Sequence, residues 1–189
     1  MVQIQIDEKL KIGQGNERMC VIHPEDAAKC IKVNIPGVIH RSQNKIENYY
    51  LSSLKRRSVP FTHIAKFYGT VETDQGQGLV FKRIVDFDGT PSIRFDKAIE
   101  QQIICSQQAK SLLDELNQYL LEHAIYIGDC NKDQILLQRT ESGYLLKVID
   151  GLGSRNYGWK LMLLSNIKWY ARKKIKAKWP RILQNYVMQ

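Results

Sequence analysis

A glycine pair, Gly13-Gln14-Gly15, is followed seventeen residues later by Lys32 inside the apolar run Cys30-Ile31-Lys32-Val33, and then by Glu47, Asp129 and Asp150. Taken alone, a GxG sequence is a weak signal, because many tight turns contain it. Here the glycines lie between two runs that read as strands rather than between a strand and a helix. That placement excludes a Walker A loop and a dinucleotide fingerprint and leaves a glycine flap over a nucleotide. A strand lysine can neutralise α- and β-phosphates, and a glutamate on the next helix can hold its ammonium in place. Asp129 and Asp150 bracket the runs Ile135 to Gln138 and Tyr144 to Ile149, so a hairpin there brings both carboxylates to one edge of a sheet. One could orient or deprotonate a hydroxyl while the other holds Mg²⁺. The ordered set predicts phosphoryl transfer. Each member also has a plainer use: Lys32 with Glu47 as a structural ion pair, Asp129 and Asp150 as turn caps, the latter beside Gly151.

The elements that must position these groups change character along the chain. Met19 to His23 and Lys29 to Val33 flank the polar turn Pro24-Glu25-Asp26, a hairpin headed by the glycine segment. In residues 41 to 57, Ile46, Tyr50, Leu51 and Leu54 recur at i, i+4, i+5 and i+8, which predicts a helix carrying Glu47. Phe67 to Glu72 and Gly78 to Ile84 form a second hairpin around residues 73 to 77. The polar stretch Asp86 to Ser92 reads as a linker between an N-terminal unit, residues 1 to 85, and a C-terminal unit, residues 86 to 189. Beyond it, Ala109, Leu112, Leu113, Leu116 and Leu120 predict a helix from Gln102 to Glu122. Trp159 to Trp179 reads as a last helix whose extension Pro180 limits. The expected class is α+β: an antiparallel sheet with one helix, then a mostly helical half.

The chain has 189 residues, 43% hydrophobic and 25% charged, enough for one domain or for two small lobes around a cleft. Collagen-like and low-complexity classes are excluded. No run approaches the roughly 18 apolar residues of a membrane span, and the opening MVQIQIDEKL lacks a basic n-region followed by an apolar one, so a cytoplasmic location is expected. Cys20, Cys30, Cys105 and Cys130 have no CxxC spacing and read as reduced, mostly packed thiols, with Cys20 near Cys30 on paired strands. His23, His40, His63 and His123 lack metal-ligand spacing. Charge is uneven. Residues 1 to 150 hold 19 basic and 19 acidic side chains, whereas residues 151 to 189 hold nine basic side chains and no acid, which accounts for the net +9. Such an end attracts phosphate, as nucleic acid, anionic lipid or a phosphorylated saccharide, or is simply a solvated helix face. Trp159, Trp169 and Trp179 either contact lipid or sugar or pack in the core.

The strings IGQGNERMCVIHPEDAAKCIKV (12 to 33), ENYYLSSL (47 to 54), FYGTVETDQGQGLVFKRIVDFDGTPSI (67 to 93) and GDCNKDQILL (128 to 137) are long and unusual. In them the chain resembles the protein-kinase-like superfamily and, more closely, the small bacterial PhoP-regulatory-network (YrbL-type) family, over about residues 8 to 155. The resemblance implies a reduced, bilobal protein-kinase-like fold using ATP and Mg²⁺. Gly13 and Gly15 stand at the first two glycines of the kinase loop, and Arg18 stands where a third is usual. Lys32 matches the strand lysine and Glu47 its helix partner. Ile127-Gly128-Asp129 takes the place of His-Arg-Asp, which makes Asp129 the candidate base. Gln134 stands at the metal-binding asparagine, and Asp150-Gly151 resembles the start of Asp-Phe-Gly, so Asp150 and Gln134 are the implied metal ligands. With 39 residues after Asp150, a peptide substrate is disfavoured, and the implied acceptor is a hydroxyl of a small molecule or a cell-envelope saccharide. Arg18, Gln134 and the short C-terminal half support an alternative, a pseudokinase that binds nucleotide or a regulatory partner without catalysis. A third reading is an adaptor docked on the inner membrane face or, less favoured, on RNA.

Overall fold

The computed structural model describes residues 3–38, 43–129 and 131–187. His40, Cys130 and the expected helix start at residues 41 and 42 lie outside the described residues. The architecture is α+β. Strands β1 (Lys11–Gln14), β2 (Arg18–His23) and β3 (Asp26–Asn34) lead into helix α1 (Gln43–Arg56), and β4 (Phe67–Thr73) and β5 (Gly76–Lys82) complete a five-stranded antiparallel sheet of order β1-β2-β3-β5-β4. A second, three-stranded antiparallel sheet, β6-β7-β8, is built from Ile93–Arg94, Ile135–Thr140 and Gly143–Val148. Helices α2 (Phe95–Glu100) and α3 (Ser106–His123) pack on it, α5 (Lys168–Val187) packs on α3, and α4 (Trp159–Asn166) packs on α1 and α5.

Alternation decides which face of the first sheet does what. Ile31 and Val33 of β3 join Met19, Val21 and Val80 in a small cluster covered by Ile4, Ile6 and Leu10. Cys30, Leu79 and Phe81 face the other way, onto Ile46, Tyr50, Leu51 and Leu54 of α1. Lys32, two residues beyond Cys30, therefore lies on the α1 side. That second face opens into a continuous core that runs through Leu113, Leu116 and Leu120 of α3 to Ile175, Trp179 and Tyr186 of α5. The chain also crosses between sheets: Ala65 donates to Val148 O at 3.0 Å, and Val148 donates to His63 O at 2.8 Å.

Several sequence expectations need correction in the C-terminal half. The helix expected from Gln102 to Glu122 starts later, because Gln102 adopts φ +56° at the end of a short helix that the sequence reading missed, α2, with Ile103 N–H donating to Ala98 O at 2.9 Å. This is a left-handed helix stop, and α3 starts at Ser106. Cys105 at its start is exposed rather than packed, whereas Cys30 is buried. The last helix is broken not at Pro180 but at Ile167, where φ −110° and ψ 95° end α4. Pro180 sits inside α5 on its exposed side, flanked by buried Trp179 and Ile182. An interior proline costs about 3 kcal/mol, and burial of the docked face offsets it. The stretch Asp86 to Ser92 is an ordered turn, closed by Asp86 N–H to Thr90 O at 2.8 Å.

His63 illustrates how the core couples to pH. It is buried, with Nδ1 3.2 Å from Leu146 O and Nε2 3.4 Å from Glu115. Burial lowers its pKa below the ordinary value, and Glu115 only partly opposes this. The folded state therefore binds the proton less well than the unfolded chain, so stability present above about pH 6.5 is lost as pH falls below it. A thermal-melt series should show the midpoint falling on mild acidification in the wild type and a flatter profile in His63→Gln. Identical profiles would remove His63 as the cause.

Candidate functional site

Four charged side chains from four elements meet on the α1 side of the first sheet. Lys32 Nζ on β3 lies 3.1 Å from Glu47 Oε1 on α1 and 3.3 Å from Asp150 Oδ1 after β8, and it donates to Ile149 O at 2.8 Å. Arg18, the first residue of β2, reaches the same carboxylates, with Nη1 2.5 Å from Glu47 Oε2 and Nη2 2.7 Å from Asp150 Oδ1. The register explains the meeting: Cys20 pairs with Lys32 and Arg18 with Asn34, so Arg18 and Lys32 project on one face. Burial disfavours the charge on Lys32, yet Asp150 and Glu47 outweigh it and raise its pKa. Burial would likewise raise the Asp150 pKa, but Lys32 and Arg18 hold it far below the usual carboxylate range. The cluster is electrically balanced, two cations against two anions. Glu47 is the enclosed member, with 5% of its side chain exposed, whereas 38% of the Asp150 side chain faces solvent.

Backbone contact locks the two aspartate-bearing segments together. Gly128 and Asp129 N–H both donate to Gly151 O, at 2.7 and 3.2 Å, and Gly153 N–H donates to Tyr126 O at 2.8 Å. A Cβ on Gly128 would fall 2.0 Å from Gly153 O, and one on Gly151 would fall 2.0 Å from Asp129 O. Only glycine permits that approach. Tyr50 of α1 buttresses the arrangement: its hydroxyl accepts Tyr126 N–H at 2.7 Å, and its ring lies where a Cβ on Gly153 would be. Lys178 of α5 adds a hydrogen bond to Gly128 O.

Asp129 and Asp150 thus share one staple, but their carboxylates have different partners. Asp129 Oδ1 pairs with Arg155 Nη2 at 2.7 Å, and both side chains are substantially exposed. Such a pair contributes little and is readily displaced. Beside it lies a cavity of about 380 Å³ whose lining includes Tyr126, Gly128, Arg155, Tyr157, Trp159 and Lys160. Gln134 reaches the other side of the staple: its Oε1 accepts Asn131 N–H at 3.1 Å and lies where it would crowd a Cβ on Gly151. The carboxylate of Asp150 and the amide oxygen of Gln134 are the hard oxygen donors that Mg²⁺ takes, so the donor chemistry fits that ion.

The structure brings Lys32, Glu47 and Asp150 into one cluster, sets Asp129 and Gln134 on the adjoining staple, and puts the glycines one strand over from Lys32, beside the Arg18 backbone. Gly13 lies in edge strand β1 opposite Cys20, and Gly15 N–H donates to Arg18 O at 2.8 Å. A Cβ at Gly13 would meet nothing within 4 Å, so the fold itself does not require that glycine. Sequence reasoning missed Arg18 as a partner of both carboxylates, Tyr50 as a support, and the Tyr126 to Lys160 cavity. The arginine at the place of a third glycine was the one available signal for the first.

The family model of the PhoP regulatory network protein YrbL matches residues 4–187. Similar relatives are the Escherichia coli (strain K12) and Shigella flexneri proteins named "Uncharacterized protein YrbL". Each is 34% identical over 191 residues, which cover 95% of this chain and 86% of the relative. On that extent and identity the chain belongs to the family of PhoP regulatory network protein YrbL.

Proposed function

We propose that the protein is a reduced protein-kinase-like phosphotransferase that uses ATP and Mg²⁺ to phosphorylate a hydroxyl of a small molecule or saccharide in the cytoplasm. The observation that carries this reading is Lys32 Nζ held between Glu47 and Asp150 at 3.1 and 3.3 Å, a buried ammonium kept charged beside a partly open carboxylate. The Gly13 to Gly15 backbone would cover the phosphates, consistent with the open space at Gly13. Lys32 would neutralise the α- and β-phosphates. Asp150 and Gln134 would hold Mg²⁺, which supplies charge neutralisation on the transferred group. Asp129 would orient the acceptor and take its proton as the hydroxyl oxygen bonds to the γ-phosphorus and the bond to the bridging oxygen breaks, releasing ADP. The cavity beside Asp129, with the rings of Tyr126 and Tyr157 and the cation Arg155, suits a phosphorylated saccharide.

Titrating ATP with and without Mg²⁺ in thermal melts tests the nucleotide site. A ligand present at a hundred times its Kd stabilises by about 2.7 kcal/mol, a midpoint rise of roughly 5 to 10 °C for a chain of this size. That rise should appear with wild type and vanish in Lys32→Ala and Asp150→Ala. Asp129→Asn should keep the rise while any phosphate transfer drops by about 10² to 10⁴-fold. No rise at millimolar ATP would overturn the reading.

One observation favours a second reading, a nucleotide-binding module without catalysis: Arg18 bridges Glu47 and Asp150 and occupies the carboxylate a metal would need. Arg18→Ala should then tighten Mg²⁺-dependent nucleotide binding. Transfer by the pure wild-type protein would dismiss this second reading.

A further inference from the structure

The α4 helix has two apolar sides. Leu161 and Leu164 are buried inward, but Trp159 and Met162 point outward with 70% and 54% of their surfaces exposed, and Leu163, one turn on from Trp159, is half-buried. Large apolar groups exposed together mark a contact surface, and the outer side of α4, which also carries exposed Asn166, has no cover among the described residues. The next helix extends the same character. Trp169, 67% exposed, shares a stripe of α5 with exposed Lys173 and Lys176 at i+4 and i+7, opposite the buried stripe of Ala171, Ile175 and Trp179. Lys160 and Lys168 flank the apolar groups. Among the described residues these four lysines are exposed and have no carboxylate within 4 Å.

We infer that the outer side of α4 and the first turns of α5 form a docking surface for an anionic phospholipid bilayer. Tryptophans rest at the headgroup level, aliphatic Met162 and Leu163 enter the acyl boundary, and the lysines meet lipid phosphates. The aliphatic groups decide against nucleic acid, whose bases stack on aromatic rings but gain little from methionine and leucine. The charge complements the negative leaflet, where each basic residue is worth about a fivefold gain in partitioning. The inference holds whether or not the neighbouring site transfers phosphate.

Co-sedimentation of the full chain with vesicles of phosphatidylglycerol and phosphatidylethanolamine, against vesicles of phosphatidylcholine alone, tests it. Wild type should bind only the anionic vesicles, with affinity falling as salt rises. Lys173→Glu with Lys176→Glu should weaken binding by about thirtyfold or more. Trp169→Ala should weaken it several-fold, and Trp169→Phe should remove part of the blue shift in tryptophan emission on vesicle addition. These positions are exposed, so unchanged melting midpoints would show that the variants fold. Equal binding to both vesicle types, binding undiminished by the variants, or retention of a poly(U) RNA with no vesicle binding would each overturn the proposal.

Discussion

Gly151→Ala should lower the melting midpoint by about 10 °C and erase the nucleotide-dependent rise. The backbone there sits at φ +79°, and the new Cβ would lie 2.0 Å from Asp129 O, an atom with no freedom to step aside. Relief requires moving the 126–129 segment away from 151–153, which breaks the bonds from Gly128 and Asp129 N–H to Gly151 O. The two aspartates would then lose their common support. Gly89→Ala is the control, because Gly89 has φ +84° but open space for a Cβ, so it bears the conformational strain without the collision. Gly151→Ala should cost distinctly more. Equal losses in the two variants would mean that the staple yields easily and does not fix the aspartates.

Much of this arrangement was legible because its signals are local. Alternation over Met19 to Val33 and the stripe of Ile46, Tyr50, Leu51 and Leu54 place Lys32 and Glu47 on facing elements, and the structure pairs them. The turn chemistry of Asp150-Gly151 also hinted at a sharp reversal. What escaped was set by distance along the chain. Arg18 meets Asp150 across 132 residues, a contact that no periodicity encodes. The Tyr50 hydroxyl was hidden inside a residue that the helical stripe counts simply as apolar. The helix stop at Gln102 required a left-handed glutamine, which glycine-based rules overlook. Pro180 misled for the opposite reason: a local breaker is overruled when buried groups on both sides of it dock the helix. The basic end likewise divides in three dimensions, since Lys178 turns inward to Gly128 O while Lys173 and Lys176 face outward.

Glu47→Ala should be the costliest single change within the charge cluster, lowering stability by about 3 to 5 kcal/mol. Its side chain is almost wholly enclosed and is the shared partner of Arg18 and Lys32, so its removal leaves two buried cations facing only Asp150. Asp150→Ala removes the same formal charge, but from a side chain that retains solvent contact, so it should cost less stability while abolishing Mg²⁺-dependent nucleotide binding. The two variants therefore separate the support of the site from its chemistry. Adding Arg18→Met to Glu47→Ala leaves Lys32 against Asp150 alone, one cation to one anion, and should recover part of the loss, which a double-mutant cycle would read as positive coupling. Acid should act in the same direction as these deletions. Because Asp150 has a depressed pKa, its contribution is complete above the unfolded value near 3.9 and disappears as pH falls through the lower folded value. Denaturant titration of the wild type, Glu47→Ala, Asp150→Ala, Arg18→Met and the double variant at neutral pH decides the matter. A Glu47→Ala loss within about 0.5 kcal/mol, the range of ordinary surface substitutions, would mean that water already screens Arg18 and Lys32 and that the cluster does not hold the lysine in place.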